Sequence, residues 1–377
     1  MPGPGMELVG EEEIQEVLDV LRSGYLYRYQ VGQDPRFQGK VIKLEQEMAR
    51  RSQVRHALAV NSGTTALLAA LVGLGVGPGD EVIVPGFTFV ASISSIVYAG
   101  AVPVLAEVDR TFNLDPEDVE RKITPCTRAI MAVHMMGSPA RLDELKAIAT
   151  EYDLFLIEDC AQAFGASYNG RPIGSLGHVG TFSFNVYKTV TAGDGGMIVT
   201  DDHDLYRRCF AFHDQGHAPL RDGVEIGQRP FLGLDFRYTE LQAAVLLAQI
   251  RKVPSMIDRL RANKQRFTSG IAGLPGLEFR ELAEPQGDIG TILTVILPTP
   301  EIAGGIARDL GNRVIAEAGW HVYSNMEHLL EQRVVNTVAC PFSCPHYLER
   351  GGWVQYWKGM LPQTDDLLAR SMNISIG

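Results

Sequence analysis

The residues best placed to do chemistry lie in FSFNVYKTVTAGDGG, Phe182 to Gly196, where Lys188 sits between an apolar strand and a glycine-rich turn. A surface lysine needs no such setting; a lysine that must meet a cofactor does. Four other segments offer matching groups. NSGTTALLAA, Asn61 to Ala70, reads as a strand end, a Ser-Gly-Thr-Thr turn and a helix start. Free N–H groups at a helix start bind phosphate, and simple capping is the alternative. IEDCAQAFGA, Ile157 to Ala166, ends an apolar run with Glu158 and Asp159. Acids at the C-terminal end of a parallel strand face the usual ligand crevice, and here too a helix cap is the plainer reading. PGFTFVAS puts Phe87 and Phe89 at another strand end, as core or as a stacking partner for a planar ring. Ser183 precedes Lys188 with a hydroxyl suited to phosphate, and AGDGG lets the backbone come close.

Pyridoxal 5′-phosphate (PLP) asks for all five features together. It needs a lysine for a Schiff base, a carboxylate for its pyridine nitrogen, a helix N-terminus and a hydroxyl for its phosphate, and a flat apolar partner for its ring. Two further clusters read more plainly. Cys340, Cys344 and His346 fall short of the four ligands of a structural zinc, so no metal is expected. Tyr25, Tyr27, Arg28 and Tyr29 read either as a packed loop or as a substrate contact.

These groups need a scaffold, and its signals are regular. HALAV, EVIVPG, VPVLAEVD, AIMAVHMMG, LFLIEDC, GTFSFN and GMIVTD are short apolar runs that read as buried strands. Helical patterns lie between the earlier ones: TTALLAALVGL, VASISSIVYAG, PEDVERKIT and ARLDELKAIATEY. Such alternation predicts an α/β fold with a mostly parallel sheet sandwiched by helices. RYTELQAAVLLAQIRKV continues as a helix that Pro254 is expected to break or kink, with a further helix to about Gly270. LEFREL, GTILTVILP and the segment ending WHVYSN suggest a smaller α+β domain. The expected division is a large domain over residues 1–250 and a small one over 251–377. The last residues, NISIG, are strand-like and lead us to expect a domain that continues beyond them.

Composition bounds the rest. A chain of 377 residues with 45% apolar and 21% charged residues is ordinary for a globular protein of two domains. Its net charge of −11 argues against nucleic-acid or anionic-membrane partners. The longest apolar run, Ala66 to Val76, is too short to span a bilayer, and the N-terminus lacks a secretory pattern. Five cysteines are a sparse, odd set, which points to a reducing cytoplasm.

With these motifs together, the chain resembles the DegT/StrS family of PLP-dependent sugar aminotransferases, of the aspartate-aminotransferase fold. The likeness runs from about Glu11 to Asp258 and is most specific in NSGTTAL, PGFTFVAS, IEDCAQAFGA, SFNVYKTVTAGDGGMIVTDD and DFRYTELQAAVLLAQ. It implies a seven-stranded sheet, Lys188 as the Schiff-base lysine and Asp159 as the partner of the pyridine nitrogen. It implies Gln162 against the ring, Phe89 as the stacking aromatic, and Gly63, Thr64 and Ser183 at the phosphate. It further implies Tyr27, Arg28 and His213 on the substrate side of the site. Asp235 stands where the family usually has an Asn that reaches the neighbouring subunit's phosphate. A carboxylate there repels phosphate, so Asp235 is expected to pair with Arg237 or hold a bridging water. The resemblance further implies glutamate or glutamine as amino donor, a keto sugar or keto cyclitol as acceptor, and a homodimer with shared active sites. Relatives that dehydrate sugars carry histidine in place of this lysine, so Lys188 speaks against that alternative. The charge speaks against a DNA-bound regulator.

Overall fold

The computed structural model describes residues 3–30, 34–219, 229–335 and 340–377. The strands, in chain order, are β1 (His56–Val60), β2 (Glu81–Pro85), β3 (Val102–Ala106), β4 (Thr127–Val133), β5 (Phe155–Asp159), β6 (Ser167–Tyr168), β7 (Arg171–Pro172), β8 (Val179–Ser183), β9 (Gly196–Thr200), β10 (Glu278–Phe279), β11 (Ile292–Ile296) and β12 (Ser371–Ser375). Seven of them form the main sheet in the order β1-β9-β8-β5-β4-β2-β3, and these are the seven runs singled out above. The pairs β2–β3, β2–β4 and β5–β8 are parallel, while β9 is antiparallel to both neighbours, β1 and β8. β2, β8 and β9 are buried at every position, as expected where both faces of a sheet are covered.

The helices start and stop at recognisable signals. Gly63–Leu74 is capped by the Ser62 side chain, which accepts from the Thr65 N–H, and it ends at Gly75 with φ of 78°. One part of the expectation at Pro254, a break in the helix, needs correction. The helix Glu240–Ile271 runs unbroken through Pro254. Pro254 cannot donate to the Ile250 carbonyl, but Ile250, Val253, Met256, Ile257 and Leu260 are all buried. Packing on both sides of the proline outweighs one lost hydrogen bond.

The chain forms two compact units. The first comprises Met1–Gly75, Ile157–Gly165 and Gly170–Met256; the second comprises Val76–Leu156, Ala166–Asn169 and Ile257–Gly377. In the first, the helix Lys40–Ser52 buries Val41, Leu44 and Met48. In the second, β11 lies between β10 and β12 in an antiparallel sheet. Its segment ending WHVYSN forms single turns of 3-10 helix, Gly319–His321 and Tyr323–Asn325. Among the described residues, no helix is long and apolar enough to cross a membrane.

Candidate active site

Strand register brings the chemistry of the first unit together. Gly196 opens β9 opposite Val60, the last residue of β1, and opposite Ser183, the last of β8. Asp159, the last of β5, pairs with Thr181 of β8. The chain therefore leaves β1 into Asn61–Thr64, β5 into Cys160–Gln162 and β8 into Asn185–Lys188 along one edge of the sheet.

Lys188 lies in the turn beyond β8, its N–H bonded to the Asn185 carbonyl at 2.9 Å. Among the described residues its amine has no hydrogen bond or ion pair. Burial lowers its pKa, and the nearby Asp159 carboxylate pulls it back up. Asp159 is 3% exposed, and its Oδ1 accepts from the Ala161 N–H at 3.1 Å. The residue before it, Glu158, is fully buried and accepts from the backbone N–H groups of Gly174, Leu176 and Gly177 at 2.6 to 2.7 Å. One carboxylate thus fixes the strand end and the other acts electrostatically on the lysine. Glu158→Ala leaves three N–H groups, two of them buried, without this acceptor. It is expected to cost about 3–5 kcal/mol of stability, read by denaturant unfolding, since bonds to a charged acceptor contribute about 1.5–3 kcal/mol each and do not fully add.

The turn after β1 is shaped for an anion. Ser62 satisfies the N–H groups of Thr65 and Ala66, and among the described residues those of Gly63 and Thr64 have no partner. A Cβ at Gly63 would lie 2.6 Å from the Ser183 Cβ, so only glycine lets the helix start approach β8 this closely. The Ser183 hydroxyl stands beside that start. A half-buried lysine, a buried carboxylate and open helix N–H groups are the set of groups that PLP requires, so these residues fit it. Gln162, three residues beyond Asp159, is half-buried. Phe89 belongs to the second unit, as the residue that opens the helix Val90–Ala99, with its ring 5.1 Å from that of His321. Cys344 is buried, while Cys340 and His346 are exposed.

The residues expected on the substrate side divide. Tyr27 is 43% exposed, and the Arg237 guanidinium lies 5.3 Å from its ring centre. Arg28 and His213 are instead buried, at 3% and 0% exposed. Arg28 pairs with Glu45 at 2.9 Å, and its Nη1 lies 3.1 Å from His213 Nε2. His213 Nδ1 lies 2.6 Å from the Phe210 carbonyl, so a neutral ring that donates from Nδ1 and accepts at Nε2 satisfies both contacts. With both partners committed internally, this pair supports β1 rather than facing a substrate: Glu45 accepts from the Ala59 N–H at 2.9 Å and Arg28 donates to its carbonyl at 3.4 Å. Sequence reasoning missed Glu45, although a Glu beside Val41, Leu44 and Met48 on one helix face signals an internal ion pair.

Burial, together with the Arg28 charge, lowers the His213 pKa from 6.5 to about 3. A depressed histidine is neutral in the folded state and takes a proton on unfolding. Stability should therefore fall as pH drops from about 6.5 toward about 3, by about 1.4 kcal/mol per pH unit within that window. His213→Gln cannot take that proton. In urea unfolding across pH, it should flatten this limb relative to the parent.

Asp235 pairs with Arg237 at 2.5 Å, and Arg237 also holds the buried Asp214 at 2.6 Å. The Tyr29 hydroxyl donates to Asp214 at 2.5 Å. The Asp235 carboxylate thus shares the Arg237 guanidinium with the buried Asp214.

Comparison with known proteins agrees with this geometry. Residues 7–316 match the DegT/DnrJ/EryC1/StrS aminotransferase family, and the chain belongs to it. It is 46% identical to a GDP-perosamine synthase of Caulobacter vibrioides over 214 residues, 56% of this chain and 57% of that protein. It is 38% identical to an L-glutamine:2-deoxy-scyllo-inosose aminotransferase of Streptoalloteichus tenebrarius over 286 residues, 71% of this chain and 67% of that protein. The match to the Caulobacter protein therefore spans less than two thirds of that relative's length. Among solved structures, DesV of S. venezuelae, in complex with a ketimine intermediate, superposes with a TM-score of 0.78 and 32% identity, over 97% of this chain and 89% of that one. The fold is that of the PLP fold type I aminotransferases.

Proposed function

We propose that this protein is a PLP-dependent aminotransferase. It moves an amino group from glutamate or glutamine to a keto sugar, nucleotide-linked or not, or to a keto cyclitol, in the biosynthesis of an amino sugar or a related product. The observation that carries the proposal is the Lys188 amine: shielded, without a protein partner among the described residues, and under the influence of the buried Asp159 carboxylate. The names of the relatives support the acceptor class, and one of them names glutamine.

When bound, PLP supplies an aldehyde carbon and an electron-withdrawing ring. Lys188 would hold it covalently at rest. Once displaced by the amino donor, the Lys188 amine would carry the proton to and from the substrate carbon, and its lowered pKa keeps more of it in the basic form. Asp159 would accept a hydrogen bond from the protonated ring nitrogen. The Gly63 and Thr64 N–H groups and the Ser183 hydroxyl would hold the phosphate. Gln162 and Phe89 would line the ring, and Tyr27 would stand at the substrate side.

The proposal includes a large cofactor domain, residues 1–250, a smaller one, residues 251–377, and a cytoplasmic location suited to five free cysteines. It also includes a homodimer that shares its active sites across an interface above about 2,000 Å². Support comes from Leu232, 96% exposed, and Tyr187, 68% exposed beside Lys188. A fully active monomer in sedimentation would contradict the dimer. The function itself is tested by adding glutamate or glutamine to PLP-loaded protein. The visible cofactor band should bleach and a keto-sugar or keto-cyclitol acceptor should restore it. A band that no amino donor bleaches would overturn the reading.

A further inference from the structure

We propose that the N-terminal arm at Gly3–Gly5 is a positioning element of the reaction: it clamps the outer side of the turn that carries Lys188. This rests on the aminotransferase reading above.

The turn is held from one side by its own sequence. The Val186 N–H bonds to the Gly193 carbonyl at 3.1 Å, the Ala192 N–H to the Phe184 carbonyl at 3.1 Å, and the Asn185 amide to Asp194 at 3.0 Å. The arm closes the other side. The Gly3 N–H donates to the Val186 carbonyl at 3.0 Å. A Cβ on Gly3 would collide with the Lys188 carbonyl oxygen and the Tyr187 backbone. A Cβ on the buried Gly5 would lie 2.8 Å from the Thr189 carbonyl oxygen and from the Val190 Cα. Both obstacles are backbone, so they cannot rotate away. Glycine is thus required twice by contact with the same five-residue turn, and Pro4 between them narrows the arm's own freedom.

The arm is anchored well enough to transmit a constraint. Lys252 Nζ donates to the Leu8 carbonyl at 2.8 Å and to Glu13 at 2.7 Å. Glu13, 2% exposed, also accepts from the Gly10 N–H at 2.8 Å and from Gln249 at 3.1 Å. The long helix Glu240–Ile271 thereby holds the arm, and the arm holds the turn. The Lys188 side chain itself has no bond among the described residues, so its direction depends on the backbone beneath it.

Gly3→Ala, Gly5→Ala and a protein lacking residues 1–6 test this, with Gly10→Ala as control, since a Cβ there meets nothing within 4 Å. In the PLP-loaded protein, kcat should fall about 10-fold, as misplacement well under 1 Å costs at a reacting centre, with the acceptor KM within about twofold. Amide exchange over Val186–Val190 should quicken, and the apparent pKa of the visible band should shift. Gly10→Ala should match the parent in all of these. Parent-like kcat and exchange in the Gly3 and Gly5 variants would overturn the clamp, as would an equal loss in Gly10→Ala. A parent without a Lys188-dependent band would fail the aminotransferase reading instead, and the exchange measurement would still decide whether the arm restrains the turn.

Discussion

Lys188→Ala protein is expected to fold normally and to lose turnover by about 10⁴-fold or more, since both covalent attachment and proton transfer go with the amine. Burial acts against the charged amine, and Asp159 offsets only part of that, so the lysine lowers the stability of its own turn. Its removal should leave thermal stability unchanged or slightly raised. Sensitivity to function without sensitivity of fold is what separates a reactive lysine from a packing one. A variant that keeps turnover within tenfold of the parent would exclude Lys188 from the chemistry. A variant that fails to fold would contradict the environment described for it.

Asp159→Asn is expected to bind PLP and to lose turnover by about 10²–10³-fold, which corresponds to about 2.7–4 kcal/mol of transition-state stabilisation. The amide cannot hold the proton on the pyridine nitrogen. It can still accept from the Ala161 N–H through Oδ1. Asn caps as well as Asp, so unfolding free energy should move by less than about 0.5 kcal/mol. Steady-state kinetics beside denaturant unfolding decide the matter. Near-parent turnover would reduce Asp159 to a cap, and equal losses in stability and rate would make it structural.

The sheet was legible because its strands are buried on both faces. HALAV or GMIVTD has nowhere to go but a covered sheet, and the turn signals separate the runs. The strand ends were legible for the same reason, which placed Lys188, Asp159, Ser183 and Gly63 along one edge. Long-range partners were not. Nothing local ties Arg28 to Glu45, 17 residues on, or to His213, 185 residues on, and only tertiary packing commits them internally. The break expected at Pro254 is absent because a local rule about backbone donors met a helix packed on both sides. The pairing of Asp235 with Arg237 was open to reasoning, since the two are adjacent in the chain but one and their charges are opposite. The role of Gly3 and Gly5 was invisible, because glycine in a PGPG run reads as flexibility until its neighbours are known.

The most direct test of the central claim is to reduce the PLP-loaded protein with borohydride, digest it and map the modified lysine by mass spectrometry. The account predicts the cofactor on the peptide that contains Lys188, in the parent and in Asp159→Asn alike, and its absence from Lys188→Ala. A label on another lysine, or no label on a protein that binds PLP, would contradict it.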